Sequence, residues 1–125
     1  MRRRNLVMLA AVPLLLAACG GDDDDDASGG GGGGAVAVTI SDAGCSPDPI
    51  EVIAGTITFD VTNDGSASVT EFEILDGDDH VVGEIENVVP GAEKSFSVML
   101  EPGTYVSYCP NGTDVERGTI DVTPG

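Results

Sequence analysis

The residues with the sharpest chemistry in this chain of 125 are three cysteines and one histidine. Cys45 and Cys109 lie 64 positions apart. In an exported protein an even pair of this kind closes a disulfide, whereas two reduced thiolates could instead share a soft metal ion. Spacing favours the disulfide and leaves the thiolate reading open. Glu71 and Glu73 alternate with Phe72 and Ile74, so on a strand both carboxylates emerge on one face. His80 sits in the polar stretch Asp76-Gly77-Asp78-Asp79-His80 and reads as an exposed turn residue. Counted as a calcium loop from Asp76, positions six and twelve are Val81 and Asn87 rather than Gly and Glu, so that match fails. With one histidine and no second base beside a Ser or Cys, no catalytic triad can be assembled, and the chain reads as a non-enzyme.

The third cysteine belongs to a different kind of chemistry. Arg2, Arg3 and Arg4 precede the apolar run 6–16, and Leu16-Ala17-Ala18 leads into Cys19. Eleven helical residues rise about 16 Å, well short of the roughly 30 Å hydrocarbon layer, so the run has the length of a signal sequence and not of a span. The small residues before Cys19 match the lipobox of bacterial lipoproteins. Residues 1–18 are therefore expected to be cleaved, and Cys19 to carry acyl chains such as palmitate. At about 0.8 kcal/mol per buried CH₂, several such chains anchor a protein stably. The expected location is the extracytoplasmic face of a cell membrane, at the cell surface or in the periplasm.

Loss of residues 1–18 leaves Lys94 and Arg117 against 22 carboxylates, a formal charge of 2 − 22 = −20. That surface repels nucleic acid and anionic headgroups, which excludes direct work on either. Residues 19–34 comprise the lipidated cysteine and a Gly/Asp-rich run without apolar periodicity, read as a disordered linker spanning roughly 20 Å r.m.s..

Residues 35–125 must position the remaining chemistry, and they read as all-β. Strand-like runs fall at 35–40, 50–53, 56–62, 68–75, 80–88, 93–100, 104–109 and 118–123, each bounded by Gly, Pro, Asn or Asp. Ile57, Phe59 and Val61 alternate with Thr58 and Asp60, and Phe96, Val98 and Leu100 with Ser97 and Met99. Eight short strands in this length predict a two-sheet Greek-key sandwich. So small a core gains much from a covalent or metal staple.

Four fragments in register carry a family resemblance: Gly44-Cys45-Ser46-Pro47, Glu71-Phe72-Glu73-Ile74-Leu75, Glu86-Asn87-Val88-Val89-Pro90-Gly91, and Leu100-Glu101-Pro102-Gly103-Thr104-Tyr105 leading to Cys109. Residues 35–125 thereby resemble the EfeO-type cupredoxin-like domain, here expected as a stand-alone lipoprotein. The resemblance implies an eight-stranded cupredoxin-like sandwich and a metal site of Cys45, Glu71 and Cys109. Thiolates suit copper and a carboxylate suits iron. Family members often carry a methionine two residues before the last cysteine, where this chain has Ser107. A type 1 blue-copper centre needs two histidines, and none follows Cys109. The function implied is a tethered accessory binding a copper or iron ion for metal uptake or redox exchange, working with an envelope protein partner. The alternative is a non-catalytic interaction module closed by a Cys45–Cys109 disulfide, without metal.

Overall fold

The structure, a computed structural model, describes residues 34–125. The signal segment, Cys19 and all but the last residue of the expected linker lie outside the described residues.

Apolar residues at every second position set the strands. The elements are β1 (Ala35–Ser41), β2 (Gly44–Ser46), β3 (Ile50–Ile53), β4 (Gly55–Asn63), β5 (Phe72–Leu75), β6 (Val81–Ile85), β7 (Glu93–Leu100), β8 (Gly103–Tyr108) and β9 (Arg117–Thr123). All eight expected runs hold a strand, and the short β2 around Cys45 adds a ninth among the described residues. The expected runs 68–75 and 80–88 shrink to β5 and β6 because the chain bends into irregular loops on either side of that pairing.

Two sheets face each other, one ordered β2-β1-β4-β7 and the other β3-β9-β8-β5-β6. Along β4, Ile57, Phe59, Val61 and Asn63 are buried while the residues between them are only partly so. β4 pairs antiparallel with β7, placing Phe59 opposite Phe96 with ring centroids 5.5 Å apart. Phe72 of the second sheet closes the trio at 5.5 Å from Phe59. Full burial of Phe59 and Phe72 contributes roughly 1.5–3 kcal/mol each, and the partly buried Phe96 packs against them, so these three residues anchor the contact between layers. Two pairings are parallel, β1 with β4 and β3 with β9, and they thread the N-terminal strands into both sheets.

One polar side chain is built into this core. Asn63 is 1% exposed, and its amide nitrogen donates toward the carbonyls of Ser66, Val69 and Val88 at 2.8, 3.1 and 2.7 Å. Its carbonyl oxygen accepts from the Ser66 N–H at 2.7 Å. A buried amide survives only when so satisfied, and here it ties the loops after β4 and β6 together at one end of the sandwich.

Candidate functional site

That same end holds the two cysteines. Cys45 lies on β2 opposite Ile40 of β1, in the first sheet, and Cys109 directly follows β8 in the second. They are joined by a disulfide with Cα atoms 6.0 Å apart, stapling sheet to sheet. Both are buried, Cys109 at 1% and Cys45 at 8% exposure.

The backbone around the bond is tightly organised. The Cys109 N–H donates to the Glu116 carbonyl at 2.8 Å, and the Gly112 N–H to the Cys109 carbonyl at 3.1 Å. The loop 110–116 then folds onto the turn between β1 and β2. Thr113 N–H donates to the Asp42 carbonyl, and the N–H groups of Asp114 and Val115 both donate to the Ala43 carbonyl, all within 3.0 Å. Gly44 bridges Val115 in parallel register.

Glu71 is half-buried just before β5, two residues from Glu73 and on the same side by strand alternation. Glu73 faces Glu84 on one neighbouring strand and Tyr108 on the other. Burial pushes the Glu73 carboxyl up from its ordinary range, and the negative charges of Glu71, Glu84 and Glu86 push it further. Tyr108 carries the Arg117 guanidinium 4.9 Å from its ring centroid. Glu71, Glu73 and Tyr108 thus belong to the outer face of the second sheet. Phe72, Ile74, Ser107 and Cys109 are buried between the layers. The structure therefore brings Cys45 and Cys109 together and places Glu71 across the sheet from them.

His80 occupies the turn between β5 and β6, with its side chain 76% exposed and Nδ1 3.5 Å from the Asp76 carboxylate. Asp76 accepts from the N–H groups of His80 and Asp78 at 2.9 and 2.8 Å. The His80 N–H chiefly, and the Asp78 N–H next, hold the Asp76 carboxyl below its usual range. Donor atoms of Asp76, Asp78 and His80 lie within 4.8 Å of one another. Their arrangement is accounted for by the turn that Asp76 caps. Asp79 is engaged by Arg117 at 3.2 Å.

Sequence reasoning overlooked Asp48. The Asp48 carboxylate accepts from the Thr119 N–H at 2.9 Å and reaches over Gly118 of β9, beside the Ser107 hydroxyl. No local pattern announces this, because Asp48 lies between two prolines in a segment with no strand periodicity.

Comparison with known proteins places these features in context. Residues 6–122 match the family model described as a cupredoxin-like domain. The iron uptake system component EfeO of Escherichia coli K12 is 38% identical over 88 residues, covering 66% of this chain and 23% of the relative. The protein of the same name from Shigella flexneri gives the same figures. The chain thus spans about a quarter of the length of these curated relatives. Among solved structures, reduced auracyanin from Roseiflexus castenholzii superposes with a TM-score of 0.62 at 19% identity, covering 72% of this chain and 97% of that one. The blue copper protein auracyanin A from Chloroflexus aurantiacus gives 0.63 at 14%, covering 74% of this chain and 100% of the other. At such identities the two structural likenesses speak for the fold.

Proposed function

Because this chain belongs to the cupredoxin-like domain family, in its EfeO-type branch, we propose that it is a non-enzymatic accessory of extracytoplasmic metal uptake. In this reading a lipid on Cys19 tethers it, and it binds a copper or iron ion while Cys45 and Cys109 are reduced. The observation that carries the proposal is the 38% identity to an iron-uptake component across most of the sandwich. The meeting of the two sulfurs at one end of the domain supports it.

The donor set argues for this ion and against a blue-copper centre. The sequence holds one histidine, exposed in the turn before β6, and Cys109 is bonded to Cys45. A two-histidine site does not fit these residues. A reduced pair does: two thiolates about 2.3 Å from a tetrahedral ion sit roughly 3.8 Å apart, within reach of Cα atoms 6.0 Å apart. Reduction would come from a dithiol of the thiol–disulfide oxidoreductase class, giving two thiols here and a disulfide on the reductant. Each thiol then releases one proton as its sulfur becomes a ligand. Cys45 and Cys109 are the soft donors, and the sequence nominates Glu71 as the hard one.

A second reading is favoured by the disulfide itself: a module without metal, stapled shut, presenting its acidic surface to an envelope partner with a basic face. One preparation separates the two. Intact mass rises by about two daltons on reduction in either case. Copper or iron retained in one-to-one ratio after desalting under reducing conditions, and lost in Cys109→Ala, is the result expected of a metal accessory. Its absence leaves the stapled module. The tether is tested apart, by membrane fractionation of Cys19→Ser.

A further inference from the structure

The turn between β5 and β6 carries donor atoms that its own folding does not use. Asp76 accepts from the Asp78 and His80 N–H groups through Oδ1 alone, at 2.8 and 2.9 Å. Its other oxygen, Oδ2, faces the His80 Nδ1 at 3.5 Å. That is long for a hydrogen bond, which wants about 2.7–3.2 Å. It suits a shared ion, because a nitrogen and an oxygen each about 2.0–2.1 Å from a tetrahedral metal lie roughly 3.4 Å apart. Asp78 adds a third donor, and one ligand atom from each of the three residues falls inside 4.8 Å.

No other group among the described residues competes for this role. The Cys45 and Cys109 sulfurs are bonded to each other, and a thiol binds metal only as its thiolate. With the disulfide closed, Asp76, Asp78 and His80 form the one three-donor group of this kind among the described residues. Arg117 is committed to Asp79 at 3.2 Å, and no Lys or Arg comes within ion-pair distance of Asp76 or Asp78 among the described residues. Two carboxylates held close by one turn repel each other, and a cation between them turns that repulsion into attraction. The side chains of His80 and Asp76 are 76% and 33% exposed, so an ion reaches them without any opening of the sandwich.

We infer that Asp76, Asp78 and His80 hold a divalent transition-metal ion on the outside of the domain while the Cys45–Cys109 disulfide is closed. One imidazole nitrogen with two carboxylate oxygens suits iron(II), copper(II) or zinc, whereas calcium and magnesium take oxygen ligands. Three donors from one side leave the remaining coordination positions to water, so the ion exchanges freely. This rests on the metal-handling reading above and gives it a loading site that needs no reductant.

The test uses the untagged full-length chain carrying Cys19→Ser, with its disulfide intact, given one equivalent of Cu(II) in glycine buffer, which strips copper from scattered carboxylates. His80 is the single histidine of the chain, so the electron spin echo modulation of a remote imidazole nitrogen reports it alone. The parent is expected to show that modulation. His80→Gln should lose it and bind about 10-fold more weakly or worse, and Asp78→Asn should weaken binding comparably. Asp76→Asn keeps an oxygen for the two turn N–H groups and should weaken binding likewise. Glu101→Gln, between β7 and β8, removes the same charge elsewhere and should stay within about twofold of the parent. Thermal unfolding of each oxidised variant confirms that it folds. An oxidised parent without imidazole modulation, or equal weakening in Glu101→Gln and Asp78→Asn, overturns the site. A reduced, anaerobic sample titrated with Co(II) is the second arm. A thiolate charge-transfer band there, with no imidazole signal in the oxidised sample, overturns this inference and leaves the metal-handling reading standing. Absence of both signals overturns both.

Discussion

Gly44 and Val115 lie in parallel register so close together that a side chain on Gly44 would run into the Val115 carbonyl. Gly44 also has φ near +136°, a backbone region that glycine alone enters readily. The contact seats the loop after Cys109 on the turn before Cys45, and so brings the two sulfurs into reach.

Gly44→Ala should therefore cost more than a generic glycine substitution. Strain at the dihedral adds to a backbone clash that the tightly bonded loop cannot relieve, and we expect a loss of about 2–4 kcal/mol. Urea unfolding of the oxidised protein measures it, and the rate of disulfide formation on reoxidation should fall in parallel. A stability within about 0.5 kcal/mol of the parent would show that the loop yields.

The Cys45–Cys109 bond closes a loop with a sequence separation of 64. In the chain-entropy model such a link contributes about 4 kcal/mol, a large share of a small domain's stability. The double variant Cys45→Ala/Cys109→Ala should unfold at markedly lower urea concentration, with the far-ultraviolet signature of a β-sandwich kept under native conditions. An unchanged midpoint would mean that the bond adds nothing beyond its packing.

Replacing Asn63 by Leu keeps the volume and strands its partners. The carbonyls of Ser66, Val69 and Val88 and the Ser66 N–H would lose their common partner inside the protein. Two or more unsatisfied buried groups cost about 2–5 kcal/mol. Asn63→Asp should be comparably harmful near neutral pH, because a carboxylate cannot donate to three carbonyls. Amide exchange after β4 and β6 would report the loosening residue by residue.

Glu73 has its folded-state pKa raised, first by burial and then by its glutamate neighbours. A carboxyl shifted upward favours the folded state only while protonated. Its contribution is complete below the unfolded pKa, roughly pH 4, and is lost as pH rises through the folded value. Glu73→Gln should accordingly stabilise the fold at neutral pH, by no more than about 1 kcal/mol given its solvent screening, and lose that advantage below about pH 4. Added salt should narrow the same gap. Asp76 behaves oppositely: its carboxyl is lowered by the N–H groups of its own turn, so its contribution is present at neutral pH and fades on acidification through its folded value. A melting curve of Glu73→Gln parallel to the parent at every pH would refute the shift.

Much of this molecule was legible before any coordinates. Alternation along β4 and β7 is a period-two signal carried by neighbouring residues, and the faces Ile57, Phe59, Val61 (buried) and Phe96, Val98, Leu100 (the first two partly buried) turned inward as that signal demands. Met99, expected on the wet face, is 66% exposed. The cysteine pair was legible too, as a choice between disulfide and dithiol. β2 was missed because three residues around a glycine show no periodicity, and the strand exists through its pairing with β1.

What the sequence determined by itself is local: strand identity, turn chemistry, the face each strand presents, the excess of carboxylates and the family. What only the tertiary structure decided is relational. The parallel pairings β1–β4 and β3–β9 and the meeting of Cys45 with Cys109 each join distant residues. The reason is that side-chain alternation says which residues share a face, while only long-range register says what that face is turned toward.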